Sequence, residues 1–109
     1  MIPSNIVNCA DLKILYVASN SLMGLNVANQ LPLSVTDLDL NFNLYSGRLE
    51  FGRNNSVLTN LYLRNNYYSG NIPTEMAWLR NLVKLDLSNN VLTSTLPTAI
   101  TNVSVIFAV

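Results

Sequence analysis

One spacing pattern recurs through almost the whole chain and limits the folds that the chain can adopt. Residues 58–66 read Leu-x-x-Leu-x-Leu-x-x-Asn, and the same order returns at residues 82–90. Weaker copies, each with one Val in place of a Leu, stand at residues 35–43 and 12–20. A period of 23 or 24 residues is typical of chains built from repeated structural units, each of which buries its apolar side against its neighbours.

The frame assigns the chain to a single array of repeats. We expect the tail of one repeat, four near-complete repeats and the start of another, at residues 1–11, 12–34, 35–57, 58–81, 82–105 and 106–109. The register of residues 25–34 stays open. The second repeat lacks the Pro and two apolar anchors that the pattern places there, so we expect a loop, held by Phe51, and the first has Asn26-Val27 in place of Ile-Pro. The array is expected to be cut from a longer one, with an unknown number of missing repeats.

Within each block, apolar and variable residues alternate, which is the two-residue period of a short strand. We therefore expect Leu61 and Leu63 to point inward, and Asn60 and Tyr62 to point outward. Successive strands then stack as a parallel sheet about 4.8 Å apart. The apolar spacing in residues 76–79, and its counterpart in the next repeat, predicts one short helical turn on the opposite side.

The asparagine that ends each block is predicted to be structural. An Asn side chain carries a donor and an acceptor, so it can satisfy backbone groups that lose their sheet partners where the chain turns. We expect a buried ladder formed by Asn20, Asn43, Asn66 and Asn90. Glycines further along, which allow turns that bulkier residues resist, are Gly24, Gly47 and Gly70.

These blocks resemble the leucine-rich repeat in its plant-type form, LxxLxLxxNxLxGxIPxxLxxL, most specifically in residues 62–73 and 85–90. The resemblance implies an α/β solenoid, with a short parallel β-sheet on the concave side and loops and short 3-10 or helical turns on the convex side. This form is known from extracellular parts of plant receptor-like kinases and receptor-like proteins, and from inhibitors of pectin-degrading enzymes. Related repeats occur on protist surface proteins, so the organism stays open.

Composition excludes several classes of function. The formal net charge is zero, which leaves no basic face for nucleic acid. No apolar run reaches the roughly 18 to 20 residues of a transmembrane helix, and the first residues lack the pattern of a signal peptide. We therefore expect no nucleic-acid partner and no direct membrane insertion by this segment.

Catalysis is not expected either. The chain has no histidine, and it shows no metal-ligand spacing and no phosphate-binding or dinucleotide motif, so we expect no metal and no cofactor. Asp37 and Asp39 are two apart on one strand face, which does not offer the cleft that carboxylate catalysis needs. Cys9, the single cysteine, is interpreted as a buried free thiol that packs as a small hydrophobe.

The outward strand residues are the candidate binding surface. They combine Tyr, Asp, Arg and Asn on a rigid sheet, a composition suited to specific contacts. The candidates are Tyr16, Asp37, Asp39, Asn41, Asn60, Tyr62, Arg64, Lys84, Asp86 and Ser88. The alternative is a solvated face with Asp–Arg or Asp–Lys pairs across the strands. Two Asn-x-Ser sequons, at Asn54 and Asn102, are candidate glycosylation sites away from this face.

The resemblance implies recognition of a protein or peptide ligand through the concave face. We expect the chain to be part of an extracellular or cell-surface receptor-like protein with a membrane-anchored parent, acting in signalling or defence. The alternatives are an inhibitor of a secreted polysaccharide-degrading enzyme, a structural cell-surface repeat protein and a gene fragment without function. Whether a kinase domain follows is open. Uncapped ends would expose core residues, so we also expect marginal stability or self-association.

Overall fold

The computed structural model describes residues 4–23, 31–51, 57–93 and 104–106. The described strands are β1 (Ile14–Tyr16), β2 (Asp37–Asp39), β3 (Ser46–Arg48), β4 (Asn60–Tyr62), β5 (Tyr67–Gly70), β6 (Lys84–Asp86), β7 (Val91–Leu92) and β8 (Ser104–Ile106). They form two parallel sheets, a five-stranded one in the order β1-β2-β4-β6-β8 and a three-stranded one in the order β3-β5-β7. Each sheet thus takes one strand from each successive turn of the chain.

The five-stranded sheet contains the predicted strands. Its inward side chains lie in the hydrophobic core, where Leu38 and Leu61 are 0% exposed and Leu85 is 1% exposed. From β1 to β6, pairing joins residues 23 or 24 positions apart, as in Asp37 with Asn60 and Asn60 with Lys84. The burial of each leucine contributes on the order of 1.5 to 3 kcal/mol, which is why one leucine of each repeat packs on the next.

The three-stranded sheet was not predicted from the sequence. Its segments are rich in Ser, Gly and Tyr and carry little of the alternation that marks a strand. Gly47 (φ 85°) and Gly70 (φ 78°) adopt the left-handed backbone conformation that their positions were expected to require. The rings of Tyr45 and Tyr68 stack beneath this sheet, with centroids 6.3 Å apart and planes 5° apart. The sheet therefore closes one flank of the core.

Short 3-10 helices lie opposite the five-stranded sheet, at Ser4–Asn8 and Thr74–Trp78. Met76 and Leu79 are buried in the core, as the apolar spacing predicts. Parallel short strands combined with 3-10 turns confirm the predicted α/β solenoid. Phe51 is also buried, in agreement with its expected anchoring role. The predictions for Gly24, for the loop after Phe51 and for the helical turn near residue 100 fall outside the described residues.

The final strand differs in register from the expected opening of a repeat at residue 106. β8 pairs Val105, rather than Val109, with Leu85. The two registers differ by four residues, and an even shift leaves the alternation of side chains between the two faces unchanged. The alternation of side chains therefore cannot distinguish the two registers, and the observed backbone pairing of β8 with β6 identifies the one that the chain adopts.

Cys9 is exposed, so its interpretation as a buried hydrophobe is wrong. It follows the 3-10 helix Ser4–Asn8, and its N–H donates to the carbonyl of Ile6 at 2.9 Å. The corresponding Leu79 is buried in the hydrophobic core. Among the described strands, none pairs with the outer edge of β1, and this leaves the region around Cys9 open.

No helix in the described ranges combines the length and the apolar character needed to cross a bilayer.

Candidate functional site

Strand pairing places the outward side chains of the five-stranded sheet in two rows that run across the strands. One row is Ile14, Asp37, Asn60 and Lys84, and the other is Tyr16, Asp39, Tyr62 and Asp86. Side chains in a row stand about 4.8 Å apart at the backbone. The sheet therefore brings residues that are 23 or 24 positions apart in the chain into direct proximity.

Exposure divides the candidate residues into three groups. Tyr16, Arg64 and Lys84 are exposed, and Tyr16 is 60% accessible. The half-buried candidates are Asp37, Asp39, Asn41, Asn60 and Tyr62. Asp86 and Ser88, which were expected on the accessible face, are buried, with exposures of 7% and 6%.

The burial of Asp86 and Ser88 has a local cause. Ser88 turns back onto β6, where its backbone N–H donates to Oδ1 of Asp86 at 3.0 Å and its hydroxyl donates to the same oxygen. β8 also runs along the free side of β6. Apart from the exposed Lys84 at the start of β6, the accessible part of the candidate surface therefore lies on β1, β2 and β4 and in the turns that follow β2 and β4.

Asp37 is held by neutral donors. Its Oδ2 accepts from the Asn60 amide at 2.9 Å, and its Oδ1 accepts from the hydroxyls of Thr36 at 2.9 Å and Thr59 at 3.4 Å. These hydrogen bonds, led by that of Asn60, hold the pKa of the carboxyl below its usual value, although partial burial opposes them. Asp37 is therefore a fixed negative charge whose partners do not neutralise it.

Asp39 and Asn41 organise the turn that follows β2. The N–H of Asn41 donates to Oδ1 of Asp39 at 3.0 Å, and Oδ1 of Asn41 accepts from the N–H of Arg64 at 2.6 Å. The Arg64 side chain donates from its Nε to Oδ1 of Asn65 at 3.1 Å. At these positions Asp39 accepts from the backbone amide of Asn41, and Arg64 donates to the side-chain amide of Asn65, in place of the Asp–Arg pair that was the alternative.

Phe42 adds an apolar contribution that the candidate set omitted. It is 49% exposed and has a φ of 57°, a left-handed conformation that is uncommon for a bulky residue. The residues in the same place of the other repeats, also with positive φ, are Ser19, Asn65 and Asn89. Ser, Asn and Phe share this position because the repeat requires the turn. The mismatch of Phe with its aligned asparagines is the signal in the sequence that could have marked it.

The asparagines that end the repeated blocks join neighbouring repeats beneath the candidate surface through hydrogen bonds to the backbone. The Asn66 amide donates to the carbonyls of Leu40 at 2.9 Å and Leu63 at 3.2 Å, and its Oδ1 accepts from the N–H of Tyr45 at 3.1 Å. Each such side chain bonds its own repeat and the preceding one, and the chain repeats the arrangement at Asn43 and Asn90.

Asn20 differs from this arrangement. It was expected in the buried ladder, but it is exposed and bonds only the nearby carbonyls of Val17 and Ala18. Among the described strands, none pairs with the outer edge of β1, so Asn20 has no preceding strand to join.

The candidate surface is an open sheet face rather than a cavity. A cleft of about 360 Å³ lies elsewhere, lined by Arg48, Leu49, Glu50, Phe51, Pro73 and Glu75. None of these residues belongs to the five-stranded sheet. In the described part of the chain, no three His, Cys, Asp or Glu side chains are grouped in a way that could hold a metal ion. The sequons at Asn54 and Asn102 lie outside the described residues.

Comparison with known proteins assigns the repeats. The family described as Leucine Rich Repeat matches residues 57–79 and 81–103, two consecutive units of the frame. A search of curated proteins gives no match to the chain. The matched units contribute β4 and β6 to the five-stranded sheet and the 3-10 helix Thr74–Trp78 to the opposite side. On this evidence of sequence and fold together, residues 57–79 and 81–103 carry leucine-rich repeats, and the parallel short strands and 3-10 turns of the described residues are consistent with a leucine-rich repeat solenoid.

Proposed function

We propose that the chain recognises a protein or peptide through the outward face of its five-stranded sheet, the surface expected to be concave. Leucine-rich repeat modules are generally protein-binding, and solenoids present extended binding surfaces of this kind. The observation that carries the proposal is the exposed and half-buried pair Tyr16 and Tyr62 on strands of one sheet, together with the exposed Arg64 two residues after β4. Tyr and Arg are the residue types that dominate the energy of protein interfaces.

Rigidity favours this face over the loops. Neighbouring repeats are joined by backbone pairing in both sheets and by the asparagine side chains between them. A partner that docks here would therefore lose little free energy in ordering the surface. The open form of the face suits an extended peptide or a protein surface better than a small molecule, which needs a concave pocket.

The cellular setting belongs to the same proposal. The plant-type form of residues 62–73 and the two Asn-x-Ser sequons support an extracellular or cell-surface protein of the receptor-like class, with a role in signalling or defence. In that setting the parent protein is membrane-anchored, and this segment supplies part of its ligand-binding array. The full-length gene tests this directly, since a signal peptide and a transmembrane helix are both expected in it.

The binding proposal is tested with a random-peptide display library panned against the chain. The affinity of a selected peptide should fall when Tyr62 or Arg64 is replaced by alanine. Tyr67→Ala and Arg80→Ala are matched controls, because both residues are exposed and lie outside the five-stranded sheet. If Tyr62→Ala and Arg64→Ala both leave the affinity unchanged while Tyr67→Ala or Arg80→Ala lowers it, the peptide binds elsewhere and the proposal is wrong.

A further inference from the structure

The outward face of β1, β2 and β4 carries a carboxylate between two aromatic rings. Strand pairing aligns Asp39 with Tyr16 on one side and with Tyr62 on the other. We call these three residues the tyrosine–aspartate row. All three are outward positions of one parallel sheet, so their side chains leave the sheet in the same direction. Tyr16 is 60% exposed, while Asp39 and Tyr62 are half-buried.

We propose that the tyrosine–aspartate row binds an arginine or lysine side chain of the protein or peptide partner. This inference rests on the proposed function and specifies the chemistry of the ligand. A carboxylate attracts a cation and accepts its hydrogen bonds, and the faces of flanking aromatic rings attract the same cation. A spacing of about 4.8 Å between strands lets one guanidinium or ammonium group contact the carboxylate and a ring together.

A second carboxylate strengthens the same site. Asp37 lies two residues before Asp39 on β2 and shares its face of the sheet. The hydrogen bonds that hold Asp37 come from the neutral groups of Asn60, Thr36 and Thr59. These bonds order the carboxylate without cancelling its charge. β2 therefore presents two negative charges, one of them locked in position, to whatever lies on the sheet.

The basic groups near this site lie at its borders. Arg64 follows β4, and its Nε is bonded to Asn65. Lys84 stands in the same row as Asp37 but two strands away, with Asn60 between them. Lys13 precedes β1. Within the tyrosine–aspartate row itself, Asp39 is the charged residue, and its negative charge complements a basic ligand.

Exposed apolar side chains near the tyrosine–aspartate row indicate which residues of the ligand should lie beside its basic side chain. Ile14, two residues before Tyr16 on β1, is 55% exposed, and Phe42, three residues after Asp39 in the turn that follows β2, is 49% exposed. Such surfaces suit the aliphatic stem of Arg or Lys, or an apolar residue beside it. The expected ligand segment is therefore a basic side chain next to an apolar one, as in an extended peptide laid on the sheet.

The test uses peptides selected by panning a random-peptide display library against the unmodified chain. Selected peptides should be enriched in Arg or Lys, and replacing that residue by the neutral isosteres citrulline or norleucine should weaken binding about ten-fold. Asp39→Asn should cause a similar loss, and the two changes together should cost little more than either alone. Asp11→Asn is the matched control, because it removes one exposed carboxylate outside the sheet and leaves affinity unchanged.

The outcomes separate the two proposals. Asp39→Asn keeps an oxygen for the N–H of Asn41, so the variant should retain its fold, and the midpoint of urea unfolding checks this. Binders without enrichment in basic residues, or equal effects of Asp39→Asn and Asp11→Asn, would overturn the cation site while binding to the sheet survives. A library that yields no binder, or binders insensitive to Tyr62→Ala and Arg64→Ala, would overturn both.

Discussion

Replacing Asn66 by alanine tests whether the asparagines hold successive repeats together. The Asn66 side chain is 4% exposed, its amide donates to the carbonyls of Leu40 and Leu63, and its Oδ1 accepts from the N–H of Tyr45. Truncation leaves the N–H of Tyr45 without a partner in the interior, while the carbonyls of Leu40 and Leu63 each lose one bond and keep those from Asn43 at 3.0 Å and Asn90 at 2.8 Å. Each unsatisfied buried group costs about 1–3 kcal/mol. With the two lost bonds to carbonyls, at about 1 kcal/mol each, and some local relaxation, we expect Asn66→Ala to lower the free energy of unfolding by about 2–4 kcal/mol.

The same substitution at Asn20 is the matched control. Asn20 is exposed and bonds only the carbonyls of Val17 and Ala18, which water can satisfy after truncation. Its loss should stay below about 1 kcal/mol. Half-buried Asn90 should fall between the two. Urea unfolding followed by far-ultraviolet circular dichroism measures all three variants. Equal losses at Asn20 and Asn66 would refute the argument that bonds between repeats, rather than bonds within one, carry the stabilisation.

Four further predictions follow from single residues. Phe42→Asn should raise the thermal midpoint, because Asn tolerates the left-handed φ of 57° and relieves strain of about 1 kcal/mol; a lower midpoint would show that the ring packs favourably. Tyr68→Phe should stabilise the chain by about 1 kcal/mol, because the Tyr68 hydroxyl is buried without a partner. Burial, and to a lesser extent the neighbouring tyrosine, raises the pKa of Tyr68 above its ordinary value of 10.0, so the free energy of unfolding is independent of this group well below that pH and falls as the pH rises above it, because the unfolded chain ionises first. Urea midpoints measured from neutral to alkaline pH should therefore fall less steeply for Tyr68→Phe than for the unmodified chain. The pKa of Asp37 is lowered from 3.8, mainly by hydrogen bonds from its neighbours, so its stabilisation is present above that pH and is lost as the pH falls through the lowered pKa. Asp37→Asn should flatten this acid limb of stability, and an unchanged limb would contradict the assignment. In a secretory eukaryotic host, enzymatic release of glycans should shift the mass of the chain through Asn54 or Asn102, and an unshifted band would count against modification.

Much of the fold could be predicted because the same apolar positions recur in each repeat and must be buried in the same way. Alternation around Leu61 and Leu63 identified a strand and its buried face, and both leucines are 0% exposed. The spacing of Met76 and Leu79 indicated a helical turn, which the 3-10 helix Thr74–Trp78 provides. These features depend on short-range patterns, so they can be read from the residues alone.

The candidate surface was predictable only in outline. Alternation showed which side chains leave the outward face, and strand pairing aligns Tyr16, Asp39 and Tyr62 on it. Alternation did not show that Ser88 bonds back onto Asp86 and that both are buried. That outcome depends on the turn after β6 and on the neighbouring strand.

The residues of this chain by themselves determined the repeat, the inward leucines and the polar nature of the outward face, because all three follow from a two-residue alternation inside a 23- or 24-residue period. The packing of successive repeats against each other determined the second sheet and the burial of individual polar residues. The three-stranded sheet forms because equivalent backbone segments come to lie side by side, although their Ser and Gly residues have little strand preference. Asn66 is buried and Asn20 is exposed for the same reason, since identical side chains differ only in whether a preceding strand is paired beside them.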